Sequence, residues 1–287
     1  MNKQILFIVL FIVVGLLSLV LWQEITINDG KLHVVFCDVG QGDAIFIRTP
    51  QKTDILIDGG PDKRVLDCLS KHMPFWDKTI DVVILSHPHQ DHFAGLIDVL
   101  QSYTVLSFDS EKLVNKSAGF RELQNGLAAK DVKTRYLLAG DILKTKDGLS
   151  MEVLAPSQGF LDRTSPNGEI GESGEFASLI IFMSFGENTF LLTGDSQAPG
   201  LKDAIESVAG VDVLQVPHHG SKSGLTKDIL DVLSPKLAVI SVGKNNRYGH
   251  PNNEIIKILR DYDIKILRTD EVGEVEIIAD GEKWRIR

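Results

Sequence analysis

Cysteine is scarce in this chain: Cys37 and Cys68 are the only 2 in 287 residues. They form no C-x-x-C pair, which argues against a cysteine-based zinc site. Cys37 closes the apolar run Leu32–Cys37 and Cys68 lies in the helix-like run Lys63–His72, so both are expected to be buried free thiols. Net positive charge is missing as well. A formal charge of -9 and a pI near 5.4 exclude a generally basic nucleic-acid coat. A local basic strip is still allowed, because steering depends on where charge sits and not on its total. No linker divides the chain, so one large α/β domain is expected over residues 25–287. Gly40-Gln-Gly42 lacks the third glycine of a dinucleotide-binding turn and is followed by a strand, which excludes that reading. Histidine is absent from Phe93 to Pro217.

The histidines that do occur are concentrated. Ser86-His-Pro-His-Gln-Asp-His-Phe-Ala-Gly95 places four metal-ligating side chains, His87, His89, Asp91 and His92, in one short stretch. Residues two apart in an extended segment point the same way, so His87 and His89 can reach one ion. Asp91 and His92, in the following turn, can face a second. Imidazole with carboxylate suits zinc, manganese or iron better than calcium. The run Val82–Leu85 upstream reads as a buried strand, and Leu96, Val99 and Leu100 downstream are spaced as a helix.

The N-terminal segment has a different character. Ile5–Trp22 is apolar, broken by Gly15 and Ser18 without a charge. At about 1.5 Å per residue it comes near the roughly 30 Å hydrocarbon core of a bilayer. Lys3 precedes it, which places the N-terminus on the cytoplasmic side. The run is longer than a typical signal-peptide core and shows no small-x-small cleavage site, so residues 1–24 are expected to be a single-pass anchor. A removed signal peptide is the alternative, and either places the domain outside the cytoplasm.

Beyond Glu24, short β-prone runs alternate with turns. Leu32–Cys37, Ala44–Arg48 and Asp54–Ile57 suggest an antiparallel start, with Asp43 and Asp58 as hydrogen-bond acceptors behind the metal centre. Asp58 before Gly59-Gly60 is equally a turn residue. Ser157–Ala177, rich in Gly, Ser, Pro and acids, is expected to be a lid loop. The apolar strands Thr189–Thr193 and Val211–Val216 deliver Asp195 and His218-His219. Adjacent histidines at a strand end face opposite ways unless the chain turns sharply, so one metal ligand is expected from this pair. His219 is assigned to it and His218 to substrate or to a ligand's support, with the reverse open. His250 lies in the basic turn Lys244-Asn-Asn-Arg-Tyr-Gly-His-Pro251, a place suited to holding phosphate beside Arg247.

H-x-H-x-D-H after an apolar strand resembles the signature of metallo-β-lactamase fold hydrolases. Phe36-Cys-Asp-Val-Gly-Gln-Gly-Asp43, Ile55-Leu-Ile-Asp-Gly-Gly60, Leu191-Leu-Thr-Gly-Asp195, Pro217-His-His-Gly-Ser221 and Tyr248-Gly-His-Pro251 follow in an order similar to the hydrolase domain of ComEC/Rec2 competence proteins. The resemblance implies a four-layer αββα sandwich. It implies two divalent ions, Zn or Mn, held by His87, His89, Asp91, His92, Asp195 and His219, with Asp195 bridging. A further histidine common in the superfamily is missing, with Glu175 as a weak substitute. The implied activity is phosphodiester hydrolysis, with single-stranded DNA as substrate and competence machinery as partner. Asp91, His218 and His250 would be catalytic, and Ser221, Lys222, Arg247 and His250 would hold substrate. A phosphorylcholine esterase or other small-substrate metallo-hydrolase, and a non-catalytic metal-dependent DNA- or polymer-binding module, are the competing readings.

Overall fold

The computed structural model describes residues 3–170 and 177–287. Helix α1 (Lys3–Ile27) contains an 18-residue window of mean hydropathy 3.1 and buries none of its residues against the domain, which makes it a candidate membrane span. Strands β1 (Leu32–Phe36), β2 (Ile45–Arg48) and β3 (Asp54–Ile57) then pair antiparallel. Helix α2 (Arg64–His72) crosses over to β4 (Thr79–Leu85), and helix α3 (Gln90–Ser102) crosses to β5 (Thr104–Ser110). Helix α4 (Ala118–Ala129) leads to β6 (Lys133–Tyr136), and β3 to β6 are parallel. The second half contributes β7 (Ile142–Lys144), β8 (Ser150–Ala155), helix α5 (Gln158–Thr164), β9 (Ile180–Phe185) and β10 (Asn188–Leu192). It continues with α6 (Ala198–Ala204), β11 (Val213–Gln215), α7 (Lys227–Leu233), β12 (Leu237–Ile240), α8 (Asn253–Asp261) and β13 (Lys265–Arg268). The chain closes with α9 (Thr269–Val272), β14 (Val275–Ala279) and β15 (Trp284–Ile286).

Two sheets result, ordered β15-β14-β1-β2-β3-β4-β5-β6 and β13-β12-β11-β10-β9-β8-β7. Strand alternation sorts their side chains into layers. Val34, Ile45, Ile55, Met183, Phe190 and Val213 meet between the sheets. Their neighbours Val35, Phe46, Leu56 and Val83 turn outward onto α2, α3 and α4, while Leu191, Leu214 and Ala238 turn onto α6, α7 and α8. The architecture is therefore the expected αββα sandwich. The brief elements β7, α5, α6 and α7 are not foreseen, because 3 to 7 residues are too few for a period to register. Of the stretch expected to form a lid, Gln158–Thr164 is helical, capped by the Ser157 hydroxyl accepting from Phe160 N–H. Residues 171–176, Glu175 among them, lie outside the described residues.

One expectation is corrected. Cys37 and Cys68 are joined as a disulfide, not free thiols. The end of β1 packs against α2 in the outer apolar layer, which brings the two Cα atoms to 5.8 Å, within bridging range. Unreduced protein is accordingly expected to take up no iodoacetamide. Replacing both cysteines by alanine should lower stability by about 3–4 kcal/mol from loop entropy, read as a shift in denaturant midpoint.

Candidate metal centre

The carboxyl ends of parallel strands from both sheets meet at one edge of the sandwich. Asp58 follows β3, His87 and His89 follow β4, Asp195 follows β10, and His218 and His219 follow β11. Asp91 and His92 occupy the first turn of α3, whose N-cap is His89. Close approach of backbone makes this possible. A Cβ at Gly42 would stand 2.1 Å from the Asp91 carbonyl oxygen, and one at Gly194 would stand 2.2 Å from Ser178 Oγ. His218 and His219 both take left-handed φ, 50° and 56°, which supplies the sharp turn that two neighbouring inward-facing imidazoles require.

Asp195 is the hub. Its Oδ2 lies 3.7 Å from His87 Nε2, 3.4 Å from His92 Nε2 and 3.8 Å from His218 Nε2, and its Oδ1 lies 3.4 Å from His219 Nε2. Two ligand sets share it. His87, His89 and Asp195 place ligand atoms within 4.8 Å of one another, and so do Asp43, His92, Asp195 and His219. Asp91 stands at the mouth, its Oδ2 3.7 Å from His219 Nε2.

The surroundings fix which nitrogen each ring offers. Asp58 accepts from the Ser86 N–H at 2.7 Å, the Ser86 hydroxyl at 2.6 Å and His92 Nδ1 at 2.8 Å. His219 Nδ1 donates to the Ser241 carbonyl at 2.9 Å. Both rings thus turn Nε2 inward. Asp43 Oδ1, Asp195 Oδ1, His92 Nε2 and His219 Nε2 are all buried without a hydrogen-bond partner. Buried polar atoms are rarely left so, and a cluster of nitrogen and oxygen lone pairs aimed at one point is what a divalent ion needs. The donor set fits a metal pair.

Charge in the metal-free centre follows from the same geometry. Burial pushes the Asp195 carboxyl up, but His219, His92 and His87 outweigh it and hold it well below the usual carboxylate range. Burial also disfavours charge on His219, yet Asp195 and Asp43 raise it to about 9. Burial depresses His87 strongly, reinforced by the neighbouring His92. Burial raises Asp43 to about 6, against the pull of His219 and His92.

Two residues here have roles that the sequence reading does not assign. Asp43, expected only as an acceptor, aims an unpartnered oxygen inward. Gln215 donates to Asp43 Oδ2 at 2.8 Å, while its Oε1 accepts from the Thr193 N–H at 2.9 Å, so one amide ties the Asp43 loop to the Asp195 turn. A polar residue inside the apolar run Val211–Val216 was the available clue. His250 sits at the rim, its ring 5.5 Å from that of His218. Burial, then His218 and His219, lower it to about 4, so it is neutral at neutral pH. Ser221 and Lys222 are not drawn into the cluster: Ser221 Oγ meets Ser223 Oγ at 3.2 Å, and Lys222 pairs with Glu254 at 2.8 Å on the surface.

The Metallo-beta-lactamase superfamily profile matches residues 37–244. ComE operon protein 3 of Bacillus subtilis is 32% identical over 273 residues, 87% of this chain and 33% of that protein. Recombination protein 2 of Haemophilus influenzae is 27% identical over 244 residues, 84% of this chain and 28% of that protein. The chain thus spans about a third or less of these relatives' length. Among solved structures, the metallo-beta-lactamase fold protein YhfI from Bacillus subtilis superposes with a TM-score of 0.58 at 14% identity, covering 85% of this chain and 99% of that one, a likeness of fold.

Asp58→Ala is expected to weaken metal binding about 10–100-fold by freeing the His92 ring, measured by calorimetric titration. In chelator, His219 has a folded-state pKa raised to about 9, so its contribution to stability is full below about pH 6.5 and lost as pH rises through 9. Asp43, raised to about 6, acts with the same sign from about pH 4 to 6. Melting temperature of the chelated protein should therefore fall from pH 6 to 9, and added metal should reverse the fall.

Proposed function

The chain belongs to the metallo-beta-lactamase superfamily, and from that premise we propose that it is a metal-dependent phosphodiesterase acting on nucleic acid outside the cytoplasmic membrane. The observation that carries the reading is the pair of ligand sets sharing Asp195, with two further imidazoles, His218 and His250, standing beside them. Relatives named Recombination protein 2, in Haemophilus influenzae, and Competence protein ComA, in Neisseria gonorrhoeae, support nucleic acid as the polymer.

In this reading His87, His89 and Asp195 hold one ion, and Asp91, His92, Asp195 and His219 hold the other, with Asp43 beside them. Zinc and manganese both suit imidazole with carboxylate. Such a pair supplies Lewis acidity, activating water and neutralising charge on a phosphoryl oxygen. The protein's own groups do the rest. Asp58 and the Ser241 carbonyl hold the His92 and His219 rings in place. His250 is neutral at working pH and can donate a hydrogen bond to a non-bridging oxygen as charge builds there. His218, half-buried and 3.8 Å from Asp195, is placed to return a proton to the leaving oxygen. Arg247 is exposed at the rim, where a guanidinium can hold a phosphate. Ser221 and Lys222 join it as substrate contacts, Lys222 by exchanging Glu254 for phosphate. Asp91, on the mouth side, is assigned both ligand and catalytic duty.

Helix α1 is the anchor in this reading, and a disulfide in the domain suits an oxidising compartment. External protease on intact cells is expected to digest the domain, and protection until the membrane is broken would reverse the assigned topology. His250→Ala should lower kcat on bis(p-nitrophenyl) phosphate about 10²–10³-fold with bound metal unchanged. Asp195→Ala should lose metal and activity together. Metal analysis of both variants beside their kinetics tests the assignment, and loss of an ion in His250→Ala would make His250 a ligand instead.

A further inference from the structure

The turn between α2 and β4 has an unusual composition. Pro74-Phe-Trp-Asp77 closes with the Asp77 N–H donating to the Pro74 carbonyl at 2.9 Å, which puts Phe75 and Trp76 at its corner. Turn corners are dominated by Gly, Pro, Asn, Asp and Ser, and two adjacent aromatics there leave an apolar knob on the surface. The rings meet edge to face, with centroids 4.8 Å apart, and stay 54% and 43% exposed. The turn beneath them is firmly mounted. Met73 and Pro74 are buried, and Asp77 accepts from Arg48 Nη2 at 3.2 Å. Arg48 is buried in turn and pairs with Asp54 at 2.8 Å.

Helix α1 ends beside this knob. The Phe75 N–H donates to Gln23 Oε1 at 3.3 Å. Gln23 directly follows Trp22, the last residue of the apolar run Ile5–Trp22, and Trp22 is itself 60% exposed. Past that level the helix turns polar and grips the domain. Glu24 pairs with Lys52, and Asn28 accepts from Arg48 Nε at 3.0 Å. One guanidinium, that of Arg48, thus ties the helix end to the aromatic turn and fixes the knob level with the end of the apolar run. The layer between hydrocarbon and water is roughly 5–8 Å deep on each side of a bilayer, and Trp is enriched in it because its amphipathic ring suits that depth.

We propose that Phe75 and Trp76 enter the interfacial lipid layer of the bilayer that α1 crosses and give the folded domain a second attachment to it. The inference rests on α1 as the membrane anchor and adds a lipid-binding surface of the domain itself. Continuity selects the occupant: an apolar knob braced against the boundary residue of an apolar helix meets whatever surrounds that helix. A single helix leaves a domain free to swivel, whereas two braced contacts hold its direction. β4 begins just past the turn and runs seven residues to Leu85, with His87 beyond it. At about 3.3 Å per residue, the lipid contact and the metal centre stand at opposite ends of one strand, roughly 20 Å apart. The second attachment therefore keeps the metal centre clear of the lipid.

The test is fluorescence of the full chain in nanodiscs of phosphatidylethanolamine and phosphatidylglycerol, with and without lipid carrying a doxyl quencher near the head of its acyl chain. The chain has 3 tryptophans, so subtracting the spectra of Trp76→Phe and of Trp22→Phe from that of the parent isolates the emission of each ring. Trp76 is expected to lose most of its emission to the doxyl lipid and to be shielded from aqueous acrylamide. Trp76 quenched by acrylamide and spared by the doxyl lipid, beside a Trp22 that the lipid quenches, overturns the lipid contact and leaves the anchor standing. Trp76 shielded from both quenchers makes the knob a protein contact, with a second copy where the shielding grows with chains per disc, and overturns the proposal as well. If Trp22 also escapes the doxyl lipid, the anchor reading fails and the proposal with it.

Discussion

One buried carboxylate sets the terms for this molecule. Asp195 is 3% exposed, and four imidazoles approach it within 3.8 Å. An ionised group taken out of water costs several kcal/mol unless it is closely paired, so the histidines have to arrive from wherever the fold can deliver them. His87 and His92 come from the β4–α3 junction in one sheet, and His218 and His219 from the end of β11 in the other. The edge where the two sheets meet is the place that both can reach. Close backbone contact at Gly42 and Gly194 follows from drawing the loops to that point.

Those histidines do not stand unsupported. Asp58 gathers Ser86 and His92, the Ser241 carbonyl fixes His219, and Gln215 joins Asp43 to the Asp195 turn. Each support sits at or next to the end of a parallel strand, where the backbone is held by its neighbours and the side chain is free to aim. A site built this way takes its precision from the sheets and its chemistry from the loops, which is why a change in a sheet residue such as Gln215 would be felt at the ligands.

The parts of this arrangement legible in the sequence are those written locally. His87 to His92 lie in a single stretch, Asp195 and His219 each follow an apolar strand, and α3 runs over Gln90–Ser102 as the spacing of Leu96, Val99 and Leu100 indicates. What the sequence conceals depends on contacts between distant segments. Asp43 and Gln215 are 172 positions apart, so nothing near Asp43 reveals that one of its oxygens is taken while the other is aimed inward. The Cys37–Cys68 bond is hidden for the same reason, since the two residues are 31 positions apart and meet only when β1 packs on α2. His218 and His219 are an intermediate case. Their competition for one ligand role follows from strand geometry, and its relief depends on two left-handed residues in succession that the letters do not show.

Net charge is a poor guide to what such a protein can bind. The chain carries a formal -9, yet Asp43, Asp58, Asp91 and Asp195 are gathered in or around one buried centre, where they compensate cationic partners instead of repelling solvent anions. Imidazolium supplies that compensation in part, as the raised pKa of His219 and His92 indicates. Divalent ions bound there would take over that compensation, and Arg64 and Arg247 stand beside Asp91 at the mouth. An acidic chain and an anionic polymer are therefore compatible partners, because field at the point of contact, and not total charge, governs the approach.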